Sequence, residues 1–528
     1  MKKTKILFLV LLITTFVGAV SYRTYIENYR YLPLLAQYAN EIALNEYEAE
    51  EKPLLTDELF LEGKAPILLP LSGATWNIEV PQTGLYTIFW EYLYLSDLGE
   101  DGLQILIDGQ LPFDEAALLE PSRFYRAETE GRDKPIRTSS LAPTPAIIWQ
   151  SRYLGDTSGR SDYPFKFFLT KGQHQITLLP QGGNWYINKL QIESYQNLPS
   201  LAEYRRLHPT ELLASIDTHI ILDGARYNYQ YGDVDAMVYM DLEADPIRDY
   251  NALGRWRKPG NGVIWEFEAP ETGYYRVAFR YALGNIPLLE TPLGHLNPKG
   301  FPHSERLLLI DGKIPYREVE AIVFQPTDNG QTLNTNYWYL YSPTLSKTEK
   351  ETYYLEVFLT KGKHSLELIP TVKLRLPILD TLENLINSVG QVEADFRLSL
   401  GADPNPNLFY PLPEIVKERL RALIVDLTLA KRQATAFSRN SQVERGLDST
   451  LNRIISLATL NQINTGHQVE ITRIRESLQW MRNYSELMPL SLDSIELYSP
   501  RSTKIKVNER NNSLWSKMKN FFHYRVNI

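Results

Sequence analysis

The chain has 528 residues, 43% hydrophobic and 12% aromatic, with 33 Tyr and 9 Trp, which is material for roughly three or four packed domains. A net charge of −8 and a pI near 5.7 create no field that would draw it onto nucleic acid or an anionic membrane. The absence of cysteine excludes disulfides, thiolate catalysis, Cys-ligated zinc and a lipobox cysteine.

At the N-terminus Lys2, Lys3 and Lys5 precede the apolar run Ile6 to Val20. Such a run is short for a spanning helix, which needs about 20 residues, and fits a signal-peptide core. Residues 1–22 are therefore expected to be a signal peptide, or a signal anchor if uncleaved, and the remainder to lie outside the cytoplasm, extracellular or at the cell surface. Residues 23–45 read as a helical lead-in, with Leu32, Leu34, Leu35 and Tyr38 at loose helical spacing.

Two stretches of strand-like sequence then repeat. WNIEVPQTGLY (Trp76 to Tyr86) matches WEFEAPETGYY (Trp265 to Tyr275) at an offset of 189. LIDGQLPF (Leu106 to Phe113) matches LIDGKIPY (Leu309 to Tyr316), and FFLTKGQH (Phe167 to His174) matches VFLTKGKH (Val357 to His364). The alternations Tyr86, Ile88, Trp90 and Tyr275, Val277, Phe279 place one face of a strand on a core. Asp108-Gly109 and Asp311-Gly312 are hairpin signals, and the aspartates read as turn formers. The expected modules span 46–198 and 219–373, joined by a connector helix over 199–218. After Lys373 the composition turns to Leu/Ile periodicity. Leu420, Leu423, Leu427 and Ala430 predict one helix; Leu451, Ile454, Ile455 and Ala458 another; Val469, Ile474, Leu478 and Met481 a third, with a shorter helix around 379–389. A strand over Pro489 to Tyr498 closes a helical domain of 374–498, and 499–528 is a basic tail.

These features together resemble the N-terminal region of the large extracellular solute-binding proteins of bacterial ABC importers, which carry two carbohydrate-binding-like β-sandwiches. The resemblance rests on the three repeated blocks and on Asn251, Leu253, Gly254, Trp256, Pro259 and Gly260 in the second copy. In the first it rests on Arg123 to Tyr125, Asp133, Trp149, Asp156 and Gly159, and at the end on MPLSLDSIEL and LWSKMKNFF. It implies a mainly β plus α chain, with two tandem galactose-binding-like jelly-roll β-sandwiches followed by a small helical bundle. It also implies that a two-lobed solute-binding domain would follow, so that this chain corresponds to the N-terminal portion.

Such sandwiches bind glycans by stacking aromatic rings on apolar sugar faces while polar groups fix the hydroxyls. Trp149 and Trp338 occupy matching positions, with Trp185, Tyr153, Tyr337 and Tyr339 near them in sequence. Each tryptophan is read two ways, as a core residue or as a sugar platform; Trp76 and Trp265 read as core. Acidic first strands suggest calcium, with Glu48 and Glu50 in one copy and Glu243 and Asp245 in the other; the bland alternative is a solvated strand face. His174 and His364 sit in Lys-Gly turns and read as structural. No GxSxG, HExxH or phosphate loop is present. The expected function is an exported, noncatalytic binder of polysaccharide or oligosaccharide beside an ABC sugar importer. The alternatives are a scaffold for transporter components, a separate solute-binding subunit or the cell wall, and then a glycoside hydrolase, which needs only two acids brought together by folding.

Overall fold

The computed structural model describes residues 67–95, 102–126, 144–156, 159, 163–195, 198–209, 211–232, 234–241, 248–283, 303–325, 339–347, 352–437 and 442–502. The expectations for 1–22, 23–45 and the tail beyond 502 lie outside them. Among the described residues no helix is long and apolar enough to cross a membrane. The described residues fall into two compact units, one holding those within 67–126, 144–198 and 311–313, the other those within 199–310 and 314–502.

The first unit is a two-layer β-sandwich. Its strands are β1 (Ala74–Val80), β2 (Gly84–Leu95), β3 (Leu103–Ile107), β4 (Gln150–Tyr153), β5 (Phe167–Leu169), β6 (Gly172–Pro180) and β7 (Asn184–Ser194). One sheet runs β7-β2-β4, with Ile67–Leu68 outside β7 and β5 also on β2; the other runs β1-β6-β3. The expected alternation puts Tyr86, Ile88, Trp90 and Tyr92 of β2 into one core with Ile176 and Leu178 of β6.

The repeated residues turn out to be the fasteners of this architecture. In each copy the tyrosine of Thr-Gly-x-Tyr donates back to the turn, Tyr86 to Gln82 O at 2.6 Å and Tyr275 to Glu271 O at 2.7 Å. The preceding threonine accepts the lysine N–H of the Lys-Gly turn, Thr83 from Lys171 at 2.9 Å and Thr272 from Lys361 at 2.8 Å. Asp108 and Asp311 take φ of 52° and 50° and are followed by Gly109 and Gly312 at 74° and 76°, the left-handed pair of a two-residue hairpin turn. Asp108 also accepts Gln175 N at 2.7 Å and lies 2.7 Å from His174 Nδ1, and both matched histidines set Nε2 2.7 Å from the threonine carbonyl of their own turn, Thr170 O and Thr360 O. Asp108→Ala is expected to lower the stability of the first sandwich by about 1–3 kcal/mol, read as a shift of its thermal transition with the second unit unmoved.

In the second unit, helix α1 (Leu201–Leu207) starts at a Ser200/Glu203 capping box and stops before Pro209. The helical part of the expected 199–218 connector is thus this short stretch. The sandwich strands are β8 (His219–Asp223), β9 (Tyr229–Tyr231), β10 (Asp235–Asp241), β11 (Arg248–Trp256), β12 (Val263–Ala269), β13 (Gly273–Ala282), β14 (Ser304–Ile310), β15 (Ile322–Phe324), β16 (Tyr339–Tyr341), β17 (Glu356–Leu359) and β18 (Gly362–Pro370). After β18 come four helices, α2 (Leu376–Leu400), α3 (Glu414–Phe437), α4 (Gln442–Ala458) and α5 (Thr465–Glu486), and then β19 (Leu490–Tyr498). Each helix packs on its sequence neighbour and α5 on α2, around Leu420, Leu423, Leu427, Ile454, Ile474, Leu478 and Met481 of the periodic positions, whereas Ile455 and Val469, read with them as inward-facing, are exposed on the flanks of their helices. The helix expected around 379–389 is 25 residues long, from Pro377 in its first turn to Gly401 at φ 86° beyond its end.

The terminal strand corrects the expected domain boundary. β19 does not close the helical domain but lies inside the sheet β10-β11-β19-β13-β16, with β8 also on β19. Its register on β13 reproduces that of β7 on β2: Ile495 faces Phe279 and Leu497 faces Val277, as Leu190 faces Trp90 and Ile192 faces Ile88. Residues 371–489 therefore stand where the first copy has only the turn at Gln181–Gly183. The helical domain is an insertion in the second sandwich.

Candidate functional site

Both central strands carry a β-bulge at the same register position, Asn188 in β7 and Asp493 in β19. Bulges re-aim side chains and concentrate beside functional sites. Beside each, a polar pair crosses to the neighbouring strand on the face turned away from the core. In the first copy Asn188 Nδ2 donates to Glu91 Oε2 at 2.6 Å; in the second the polarity is reversed, with Arg280 Nε 3.0 Å from Asp493 Oδ2.

Away from this pair the two outer faces diverge. In the first sandwich β4 alternates: Gln150 turns inward, where its Oε1 accepts Tyr92 Oη–H at 2.6 Å and its Nε2 donates to Ser122 O at 3.1 Å. That anchor leaves Ser151 and Tyr153 outward and holds Trp149, one residue ahead of the strand, 40% exposed. Trp149 and Tyr153 lie about 13 Å apart along the chain at ~3.3 Å per residue. The Tyr153 ring meets Phe89 edge-on at 5.1 Å, and its hydroxyl donates to Glu193 Oε2 at 2.8 Å. Burial and then the Glu193 carboxylate push the Tyr153 phenol well above its usual range, so it stays a proton donor. An aromatic ring in solvent, a fixed carboxylate and an amide–carboxylate pair thus lie on the outer side of this sheet, a set able to stack on a sugar and bind its hydroxyls.

In the second sandwich Ala278 stands at the Phe89 position, and Ser342 and Tyr498 at those of Tyr153 and Glu193. That face also carries the Arg276–Glu356 ion pair at 3.0 Å and a contact of His219 Nε2 with Glu496 Oε2 at 3.0 Å. The aromatic pair of the first copy is gone.

Of the expected platforms, Trp149 is at the surface and Tyr153 on the same outer face. Trp185 is a correction: it is 1% exposed and stacks with Trp90 at 5.9 Å, which makes it core. Trp265 is buried and Trp76 packs against the core of its sandwich, as expected. Tyr339 opens β16 opposite Tyr281, while its side chain, Trp338 and Tyr337 lie outside the described residues. So do Glu48, Glu50, Glu243 and Asp245; among the described residues no group of three or more His, Asp or Glu could hold a metal. Glu193, Asn188, Glu91 and Phe89 were not singled out by sequence reasoning. Phe89, the outward residue between the inward Ile88 and Trp90, was the available signal.

No family model and no curated protein matches the chain. Among solved structures, a family 35 carbohydrate binding module from Clostridium thermocellum is similar at 15% identity and a TM-score of 0.17, over 29% of this chain and 86% of that one. A cycloisomaltooligosaccharide glucanotransferase from Paenibacillus sp. is similar at 16% identity and 0.18, over 30% of this chain and 17% of that one. An isomalto-dextranase from Arthrobacter globiformis T6 gives 9% and 0.18, over 56% and 34%. TM-scores this low carry nothing about what the present chain binds.

Proposed function

We propose that this protein is a noncatalytic carbohydrate-binding protein whose first sandwich holds an oligosaccharide or polysaccharide on its outer face. The observation that carries this is the exposed Trp149 ring beside a strand whose Tyr153 fixes the Glu193 carboxylate. A sugar laid along β4 would stack on Trp149 and exchange hydroxyl bonds with Glu193, Glu91 and Asn188. Both sandwiches belong in this reading to the galactose-binding-like jelly-roll class. The second, its outer face without the aromatic pair of the first, serves with the helical insertion as scaffold. The resemblance to solute-binding proteins supports export to the cell surface and association with an ABC sugar importer.

The test is binding of the full chain to a glycan array, followed by titration of the strongest hits. Trp149→Ala is expected to weaken binding about tenfold or more, and Tyr153→Phe several-fold, with the melting temperature kept within a few degrees. Equal affinity in wild type and Trp149→Ala would remove the first sandwich as the site, and turnover of a hit glycan would replace binding with hydrolysis.

A further inference from the structure

The end of the helical insertion remote from its sandwich carries an exposed aromatic ring over a shallow depression. Its place follows from the chain path. Arg375 ties the start of α2 to the end of α5, donating to Ser485 O at 2.9 Å and Leu487 O at 3.1 Å. The 25 residues of α2 then carry the chain about 37 Å away, at ~1.5 Å per residue. There the α2–α3 and α4–α5 connections meet, Tyr410–Pro411 pairing with Gln462–Ile463. Phe409, just before that pair, is 58% exposed. The depression beside it is lined by Phe409, Leu460 and the polar side chains of Asn461, Gln462, Asn464 and His467.

The hydrogen bonds already made decide what this lining offers. Asn461 Oδ1 accepts from Lys417 Nζ at 3.0 Å, and Asn464 Oδ1 accepts from His467 N at 3.2 Å, which leaves the NH2 of each amide as the donor end. His467 Nδ1 accepts from Asn464 N at 3.1 Å, which assigns its ring proton to Nε2, another donor. Donors and one further amide, Gln462, therefore surround a phenyl ring, and no Asp, Glu, Lys or Arg lines the depression. An apolar ring suits the C–H face of a sugar, N–H groups suit its hydroxyl oxygens, and a lining without formal charge asks for none on the ligand.

We infer that this tip is a second saccharide contact, taking a neutral sugar on Phe409 independently of the Trp149 face. The full chain carrying Trp149→Ala, which silences the sandwich, is titrated calorimetrically with cellohexaose, maltohexaose, chitohexaose and an oligogalacturonate. At least one neutral hexaose should bind, about tenfold or more weakly once Phe409→Ala is added and several-fold more weakly with Gln462→Ala. Both residues are exposed, so melting temperatures should hold. Absence of binding in the Trp149→Ala chain, affinity indifferent to Phe409→Ala, or preference for the oligogalacturonate would each overturn the inference. A dimer in sedimentation that Phe409→Ala dissolves would do so too, making the tip an interface between copies. If Trp149→Ala leaves wild-type binding intact while Phe409→Ala abolishes it, the sandwich reading falls and the tip stands.

Discussion

A chain ending at residue 373 is expected to leave its second sandwich unfolded, whereas one continued to residue 502 folds it. The missing piece is β19, which pairs with β11 and β8 on one side and with β13 along seven residue pairs on the other. Its Leu492, Ile495 and Leu497 are fully buried. Each contributes about 1.5–3 kcal/mol on burial, and with the lost ladder hydrogen bonds and the opened seam their sum reaches the ~5–15 kcal/mol by which a domain is stable at all. The first sandwich has its equivalent strand, Asn184–Ser194, three residues after β6, so the same truncation spares it. Far-UV circular dichroism with thermal melts on chains ending at 373 and at 502 separates the cases. A cooperative second transition in the shorter chain would show that β19 is dispensable.

Glu305→Gln should cost about 3–5 kcal/mol and unfold the second sandwich and the helical insertion in one transition. Glu305 is fully buried where the insertion leaves the sheet. Its Oε2 accepts Leu374 N at 2.9 Å, and its Oε1 lies 3.5 Å from Arg375 Nε and 2.9 Å from His303 Nε2. Arg375 also donates to His303 O. Arg306 beside it donates to Trp256 O at 3.1 Å and Met488 O at 2.9 Å, with its guanidinium 4.3 Å over the Trp256 ring. Two buried guanidiniums thus depend on one carboxylate, and neutralising it leaves them uncompensated. Chemical denaturation of wild type and variant measures the difference; a loss below about 1 kcal/mol would mean that water already reaches the junction.

The same junction sets a pH dependence. Burial first, and the Arg375 charge after it, hold His303 below the ordinary histidine value, against the opposing pull of Glu305. The unfolded chain, titrating near 6.5, then binds the proton that the folded one refuses. Stability of the second unit should therefore fall as pH drops below about 6.5, down to the lowered folded value, and be unaffected by this group above it. His303→Gln, which retains a donor for Glu305, should flatten that slope in denaturation curves between pH 7.5 and 5.5; an unchanged slope would assign it to another group.

By itself the sequence determined what depends on near neighbours. Asp-Gly demands two left-handed residues, Ile88 and Trp90 alternate whatever lies opposite, and Leu420, Leu423 and Leu427 make a helical stripe in any company. The duplication could be read for the same reason: Thr83, Tyr86 and their counterparts Thr272 and Tyr275 fasten turns within one module. Tertiary structure alone decided what depends on partners distant in sequence. The nine residues of β19 read as a strand, but a strand's period does not say which sheet takes it, and its place beside β13 was hidden by the insertion between them. Alternation likewise divides residues between two faces without saying which face meets solvent. Trp149 and Trp185 therefore looked equally eligible as platforms until the Trp90 and Tyr92 rings closed over one, and the Gln150 anchor left the other at the surface.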